Sequence, residues 1–163
     1  MTSATPQPTD VVAAALAMPP SPAVVFRSSA EEALPATPFR VTVPTPASLD
    51  PLVASDNLGW PTLVAVVTRT GRDLSALSSQ PWQREWLLLP GTTYVAVPSP
   101  PELLAGVRVL VLDEVVDDGG ASQAQLPPDI AVLMAHVRDA VLAADERDDV
   151  PVPFPGRFTG PLA

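Results

Sequence analysis

The sequence has no cysteine and no lysine, a single histidine, and aromatic residues at only 5% of its 163 positions. The absence of cysteine excludes disulfides, a thiolate nucleophile and a cysteine-based metal site, and one histidine cannot form a cluster of histidine ligands. No apolar run reaches the length of a membrane-spanning helix, and the apolar stretch 11–18 lacks the basic flank of a secretory signal. We therefore expect a protein that is cytoplasmic, or secreted without a recognisable signal peptide, and that has no membrane partner.

The chain is strongly acidic, with a formal net charge of −9 at pH 7. Such a surface repels phosphate backbones, so we expect no nucleic-acid partner. All nine basic residues are arginine. An anionic small ligand would therefore need a local arginine to bind it.

The length of the chain predicts one domain with a single core. Most of its 22 prolines fall in 1–51 and 90–163, outside the apolar runs, which favours irregular connections at both ends. We expect a flexible segment over 1–22, a β core over 23–117, and a helix with a proline-rich tail over 118–163, the tail running extended along the surface. The fold class predicted is α+β, with a mainly antiparallel β core and a few short helices.

Local patterns predict the individual elements. The run Thr62–Thr68 is apolar without alternation, which favours a strand that is buried on both faces. Helices are expected over 10–17, from a Ser48 cap through Ala54, and from Asp129 onward, where apolar residues recur at three- and four-residue spacing. Further strands are expected over 23–27, 85–89, 92–97 and 107–116.

Glu85 is the first residue that needs an explanation, because a carboxylate at the mouth of a buried strand costs desolvation energy unless it is paired or used. It lies in an ordered series of motifs: Thr-Gly-Arg-Asp (70–73), Ser-Ala-Leu-Ser (75–78), Gln-Arg-Glu (83–85), Leu-Leu-Leu-Pro-Gly-Thr (87–92) and a closing strand (107–115). An arginine at the end of the first strand, Arg27, and Ser48 before a short helix precede this series. The whole order resembles the mono-ADP-ribosyltransferase superfamily of the Arg / Ser-Thr-Ser / Glu-x-Glu type.

The resemblance implies NAD as substrate, no metal, and an unknown target protein as acceptor. Glu85 would be the catalytic carboxylate, which stabilises the positive charge that develops on the ribose when the nicotinamide–ribose bond breaks. Gln83 would assist the acceptor, and in the family a glutamine there accompanies acceptors other than arginine. Arg27 would grip the pyrophosphate, and Ser48 would orient Glu85 and line the nicotinamide pocket. We expect Arg27, Ser48 and Glu85 to line one common pocket.

The sequence also departs from the family pattern. The Ser-Thr-Ser triplet aligns with Pro46-Ala47-Ser48, so that its first hydroxyl is missing, and the helical region usual upstream of Arg27 is nearly absent from the 26 residues before it. Two alternatives to a transferase therefore stay open. One is a catalytically inactive module that kept the fold for binding or structure. The other is an NAD glycohydrolase, which would use water as the acceptor.

Overall fold

The computed structural model describes residues 8–34, 38–117, 122–123 and 129–162. Its helices are α1 (Pro8–Ala17), α2 (Pro51–Ala54) and α3 (Ile130–Asp145), with a one-turn 3-10 helix over Pro81–Gln83. Its strands are β1 (Ala23–Ser29), β2 (Phe39–Arg40), β3 (Thr45–Ser48), β4 (Thr62–Thr68), β5 (Arg72–Asp73), β6 (Glu85–Leu88), β7 (Thr93–Ala96), β8 (Glu102–Leu104), β9 (Val107–Asp117) and β10 (Ser122–Gln123). None of the described helices combines the length and the apolar character that crossing a membrane requires.

The strands form one mixed sheet in the order β2-β7-β9-β4-β1-β3-β6-β5, and β8 and β10 also pair with β9. β4 and β9 run parallel. The other described pairs are antiparallel. The prediction of an α+β fold with a mainly antiparallel core is therefore confirmed.

The central strand β4 is buried on both faces, as its unbroken apolar run predicted. Leu63 and Ala65 pack in one apolar cluster with α3, whereas Val64 and Val66 belong to a second cluster. Successive side chains point to opposite faces of a strand. The two clusters therefore lie on the two sides of the sheet.

The second cluster joins the two ends of the sheet. Phe39 of β2 and Trp86 of β6 both belong to it, although five strands separate β2 from β6 in the sheet order. A twisted sheet of this length can curve until its ends share one core. The sheet is thus folded around this cluster, and β6 is held against a fixed apolar support.

A buried carboxylate fixes the turn that follows β4. Glu114 of β9 is 1% exposed. Its carboxylate accepts hydrogen bonds from the hydroxyl of Thr68 (2.8 Å), the backbone N–H of Arg69 (2.5 Å), and both the backbone N–H and the hydroxyl of Thr70 (3.0 and 2.5 Å). Four donors compensate the cost of burying the charge. The Thr-Gly-Arg-Asp motif is therefore held at its first residue.

The C-terminal segment, residues 150–162, packs into the fold, so the prediction that it runs extended along the surface is wrong. Thr159 forms an isolated parallel bridge with Ser28 of β1, and the two hydroxyls lie 2.6 Å apart. Phe158 and Leu162 are buried. Prolines prevent a regular strand here, and the segment is instead anchored by turns, this bridge and its apolar side chains.

The short helix α2 begins differently from the prediction. Its N-cap is Asp50, whose Oδ1 accepts a hydrogen bond from the backbone N–H of Leu52 at 3.0 Å. Serine and aspartate are both good N-caps, so the residue types alone do not decide between the two. Ser48 stays in β3 because it pairs there with Glu85 of β6.

Candidate active site

The chain from Gln83 to Glu85 is held at every backbone carbonyl. The Gln83 carbonyl accepts from the hydroxyl of Ser48 at 2.7 Å, the Arg84 carbonyl from the backbone N–H of Leu49 at 3.1 Å, and the Glu85 carbonyl from the backbone N–H of Leu74 at 2.9 Å. Three neighbouring segments thus fix a three-residue stretch. Backbone held in this way keeps a side chain in one position without any cost at the moment of reaction.

Arg84 supplies the sharp bend between Gln83 and Glu85. Its φ of 46° and ψ of 51° lie in the left-handed region, where the 3-10 helix ends and β6 begins. A residue other than glycine pays a cost of about 1 kcal/mol to adopt this conformation. The three carbonyl contacts offset that cost, and the bend leaves the side chains of Gln83 and Glu85 close enough to share a partner.

That shared partner is Arg157 of the C-terminal segment. Its Nη2 donates to Oε2 of Glu85 at 2.7 Å, and its Nη1 donates to Oε1 of Gln83 at 3.0 Å. The guanidinium also lies over the ring of Phe158, 5.6 Å from its centroid. The Glu85 side chain is 9% exposed and that of Arg157 is 34% exposed. The predicted catalytic carboxylate is therefore buried, ionically paired and open to solvent on the side of Arg157.

Glu85 and Arg157 line a cavity of about 450 Å³ between α1 and the loop before the 3-10 helix. This volume is in the range of pockets that hold small-molecule ligands. Arg157 is the one basic residue among those that line it. The lining consists of Asp10, Ala14, Leu74, Leu77, Ser78, Ser79, Glu85 and Arg157.

Ser48 and Gln83 lie behind this cavity rather than on its wall. Ser48 is fully buried, and besides its bond to Gln83 its Oγ accepts from the backbone N–H of Asp50 at 3.0 Å. Gln83 is 3% exposed and reaches the cavity through Arg157. Ser48 thus orients the segment that carries Glu85 and does not itself contact the carboxylate.

Arg27 lies elsewhere. It pairs with Val64 on one face of the sheet, whereas the register of Phe26 with Ser48 and of Ser48 with Glu85 puts Glu85 on the other face. The expectation that Arg27, Ser48 and Glu85 line one pocket is therefore wrong. The NAD contact assigned to Arg27 stays a prediction.

The surroundings of Arg27 are those of a buried structural cation. The side chain donates to the backbone carbonyl of Pro46, and the residue is 4% exposed. Burial lowers its pKa from 12.5 to about 10. The cavity that it lines measures about 70 Å³ and is covered by residues 160–162.

Arg157 is the site residue that sequence reasoning missed. The expectation that an anionic ligand needs a local arginine pointed to its residue type, and Arg157 is the arginine of the 150–163 tail. Nothing in the local pattern of Gly156-Arg157-Phe158 marks it as functional. Its role arises from a contact between residues 72 positions apart.

No protein-family model matches the sequence, and no curated protein matches it at a significant level. Among solved structures, exoenzyme S from Pseudomonas aeruginosa, in complex with human 14-3-3 protein beta and bound to carba-NAD, superposes with a TM-score of 0.52 and 24% identity, covering 72% of this chain and 62% of that one. ADP-ribosyltransferase Vis, in complex with the M6 inhibitor, gives a TM-score of 0.51 and 16% identity, covering 73% and 58%. The chain has the mono-ADP-ribosyltransferase fold.

This chain spans about three fifths of the length of those two solved proteins. The mono-ADP-ribosyltransferase fold accounts for the curved sheet and for the order of motifs along it. At this level of identity the likeness concerns the fold alone. Substrate, acceptor and residue roles are therefore argued below from the geometry of the site.

Proposed function

We propose that the protein transfers ADP-ribose from NAD to a protein acceptor, with Glu85 as the catalytic carboxylate. The observation that carries this proposal is the pairing of a buried glutamate and a buried glutamine, two residues apart, at the edge of a ligand-sized cavity. A fixed carboxylate beside the ribose stabilises the cationic transition state of glycosidic-bond cleavage. NAD is the donor that the resemblance implies. The named neighbour solved with carba-NAD agrees with that choice of donor.

The protein acceptor is supported by apolar side chains beside the cavity. Trp82, directly before Gln83, is 42% exposed, and Leu77 on the cavity wall is 58% exposed. Exposed apolar groups that cluster around a site favour contact with another protein. With glutamine at position 83, we propose an acceptor residue other than arginine.

The division of labour between Glu85 and Gln83 gives the test. The purified protein is incubated with NAD and a cell lysate, and nicotinamide release and protein labelling are measured in parallel. Glu85→Gln should lower both signals by roughly a hundredfold or more, which corresponds to about 3 kcal/mol of lost transition-state stabilisation. Gln83→Ala should lower labelling while sparing much of the nicotinamide release.

The matched control is Glu146→Gln, because Glu146 is exposed at the end of α3, and it should leave both signals unchanged. Retained nicotinamide release in Glu85→Gln would remove Glu85 from its role. Release without labelling in the wild type would indicate an NAD glycohydrolase. Absence of both signals would favour the inactive module, a candidate to which the neutralisation of Glu85 by Arg157 lends support.

A further inference from the structure

The cavity at Glu85 carries the wrong charge for a dinucleotide unless Arg157 is released to bind it. Its wall includes Asp10 and Glu85, and Arg157 is the basic residue that the wall provides. A dinucleotide carries two phosphate charges. Two carboxylates on the wall and a net charge of −9 on the chain oppose such a ligand. A cation inside the cavity must therefore meet the phosphates.

Arg27 is poorly suited to that task in this structure. It lies on the opposite face of the sheet from Glu85, in a cavity of about 70 Å³. Its exposure is 4%, and its described hydrogen bond goes to a backbone carbonyl. A guanidinium in that position cannot contact a ligand in the larger cavity without moving out of the core.

Arg157 has the position, the exposure and the free donors. Two hydrogen bonds from its side chain are described, one from each terminal nitrogen, and a guanidinium has five N–H donors in total. The side chain is 34% exposed, and the ring of Phe158 supports the guanidinium plane. Its fork shape matches two phosphate oxygens at once.

The chemistry of the ligand places a phosphate near this point. In NAD the nicotinamide ribose carries its phosphate on the same sugar whose hydroxyl a catalytic carboxylate would hold. A cation that contacts Glu85 is therefore within one sugar of that phosphate. We propose that Arg157 is the phosphate-binding residue of this site and that it exchanges its ion pair with Glu85 for contacts with the diphosphate of the bound dinucleotide.

This exchange rests on the proposed function, and it adds a consequence for Glu85. When Arg157 turns to the phosphates, Glu85 loses its counter-charge. An unpaired carboxylate stabilises a developing cation better than a paired one does, since the nearby arginine would repel that cation. Binding of the diphosphate thus prepares the carboxylate for the reaction.

The test measures binding by titration calorimetry with ligands that differ in their phosphates: NAD, ADP-ribose, nicotinamide mononucleotide and nicotinamide riboside. Arg157→Gln should weaken binding of NAD and ADP-ribose by about ten- to a hundredfold, as expected for losing hydrogen bonds to a charged group. Nicotinamide riboside, which has no phosphate, should change by less than about twofold, because it loses none of those contacts. Arg157→Lys should restore part of the loss, because it keeps the charge but not the fork.

Arg27→Met is the rival variant, and it should weaken NAD binding less than Arg157→Gln does. Unchanged NAD binding in Arg157→Gln, or equal weakening of riboside and dinucleotide, would overturn the exchange while leaving the proposed reaction standing. Loss of binding in Arg27→Met with retention in Arg157→Gln would overturn it too. Failure of the wild type to bind NAD at all would overturn both the exchange and the proposed function. Thermal melting of each variant without ligand separates these results from a failure to fold.

Discussion

Arg157 and Glu85, 72 positions apart in the sequence, form an ion pair with 2.7 Å between Nη2 and Oε2. The pair connects the C-terminal segment to the first residue of β6, and the same guanidinium reaches Gln83. It offsets the cost of burying a carboxylate that has no basic neighbour in the chain around it except Arg84. The site and the C-terminal segment are therefore energetically coupled.

This coupling can be measured with a double-mutant cycle. Arg157→Gln, Glu85→Gln and the double variant should give a coupling free energy of about 1 kcal/mol, since one partner is buried and the other is partly solvated and screened. Urea denaturation provides the four unfolding free energies. The coupling should shrink in high salt. A coupling indistinguishable from zero at low salt would show that the pair contributes nothing to stability.

Ser48 should matter for both stability and turnover. Ser48→Ala removes the hydroxyl that donates to the Gln83 carbonyl and accepts from the Asp50 N–H, leaving two buried groups without a partner. We expect a loss of about 2 kcal/mol in the free energy of unfolding, together with slower nicotinamide release because Glu85 is less well fixed. Ser79→Ala, at an exposed serine, is the control and should change neither. A loss in Ser48→Ala no larger than in this control would contradict the positioning role.

Two glutamates allow a matched comparison of buried and exposed charge. Glu114→Gln removes acceptor capacity from a carboxylate with four donors, and it should cost about 3 kcal/mol. Glu102→Gln breaks a bidentate pair with the half-exposed Arg138, and it should cost less than about 1 kcal/mol. Urea denaturation of both variants decides the matter. Similar costs would mean that the Glu114 network is not the support for the turn after β4.

Alkaline pH isolates two buried groups, because the chain has no lysine, no cysteine and one tyrosine. Burial raises the pKa of Tyr94 above its ordinary value of 10.0, so the folded state holds the proton more tightly than the unfolded state does. The free energy of unfolding should therefore fall as pH rises above about 10, with a slope approaching 1.4 kcal/mol per pH unit from this group. Tyr94→Phe should remove that fall.

Arg27 acts with the opposite sign. Its folded pKa of about 10 lies below the ordinary value of 12.5, so the unfolded state binds more protons in that range and the contribution to stability rises with pH between the two values. Arg27→Met should therefore steepen the alkaline fall. The absorbance of tyrosinate, recorded during the same titrations, should appear only with unfolding. Tyrosinate in a protein that remains folded would contradict the burial of Tyr94.

The elements that sequence reasoning predicted are those that carry their own pattern. Thr62–Thr68 matched because an unbroken apolar run has one stable position, between two apolar layers. Helix α3 matched from the spacing of its apolar face, with Asp129 as its N-cap as expected. Glu85 was singled out by its cost at a strand mouth, and its burial agrees with that reasoning.

The parts that were missed depend on register and on distant contacts. Ser48 and Asp50 are equally good caps in sequence, and the pairing of β3 with β6 decided between them. Arg27 and Glu85 fell on opposite faces because a one-residue difference in register moves a side chain across the sheet. Arg157 could not be found from sequence, because an irregular segment has no periodicity to say where its side chains lead.

The bridge between Ser28 and Thr159 has a consequence for the order in which the structure opens. These residues are 131 positions apart, so their contact closes a very long loop and is expected to form late in folding. Contacts formed after the transition state mainly slow unfolding. The C-terminal segment should thus behave as a latch whose release precedes global unfolding. Hydrogen exchange at the amides of Ser28 and Gly160, which join the two chains, would report that release while the amides of β4 remain protected.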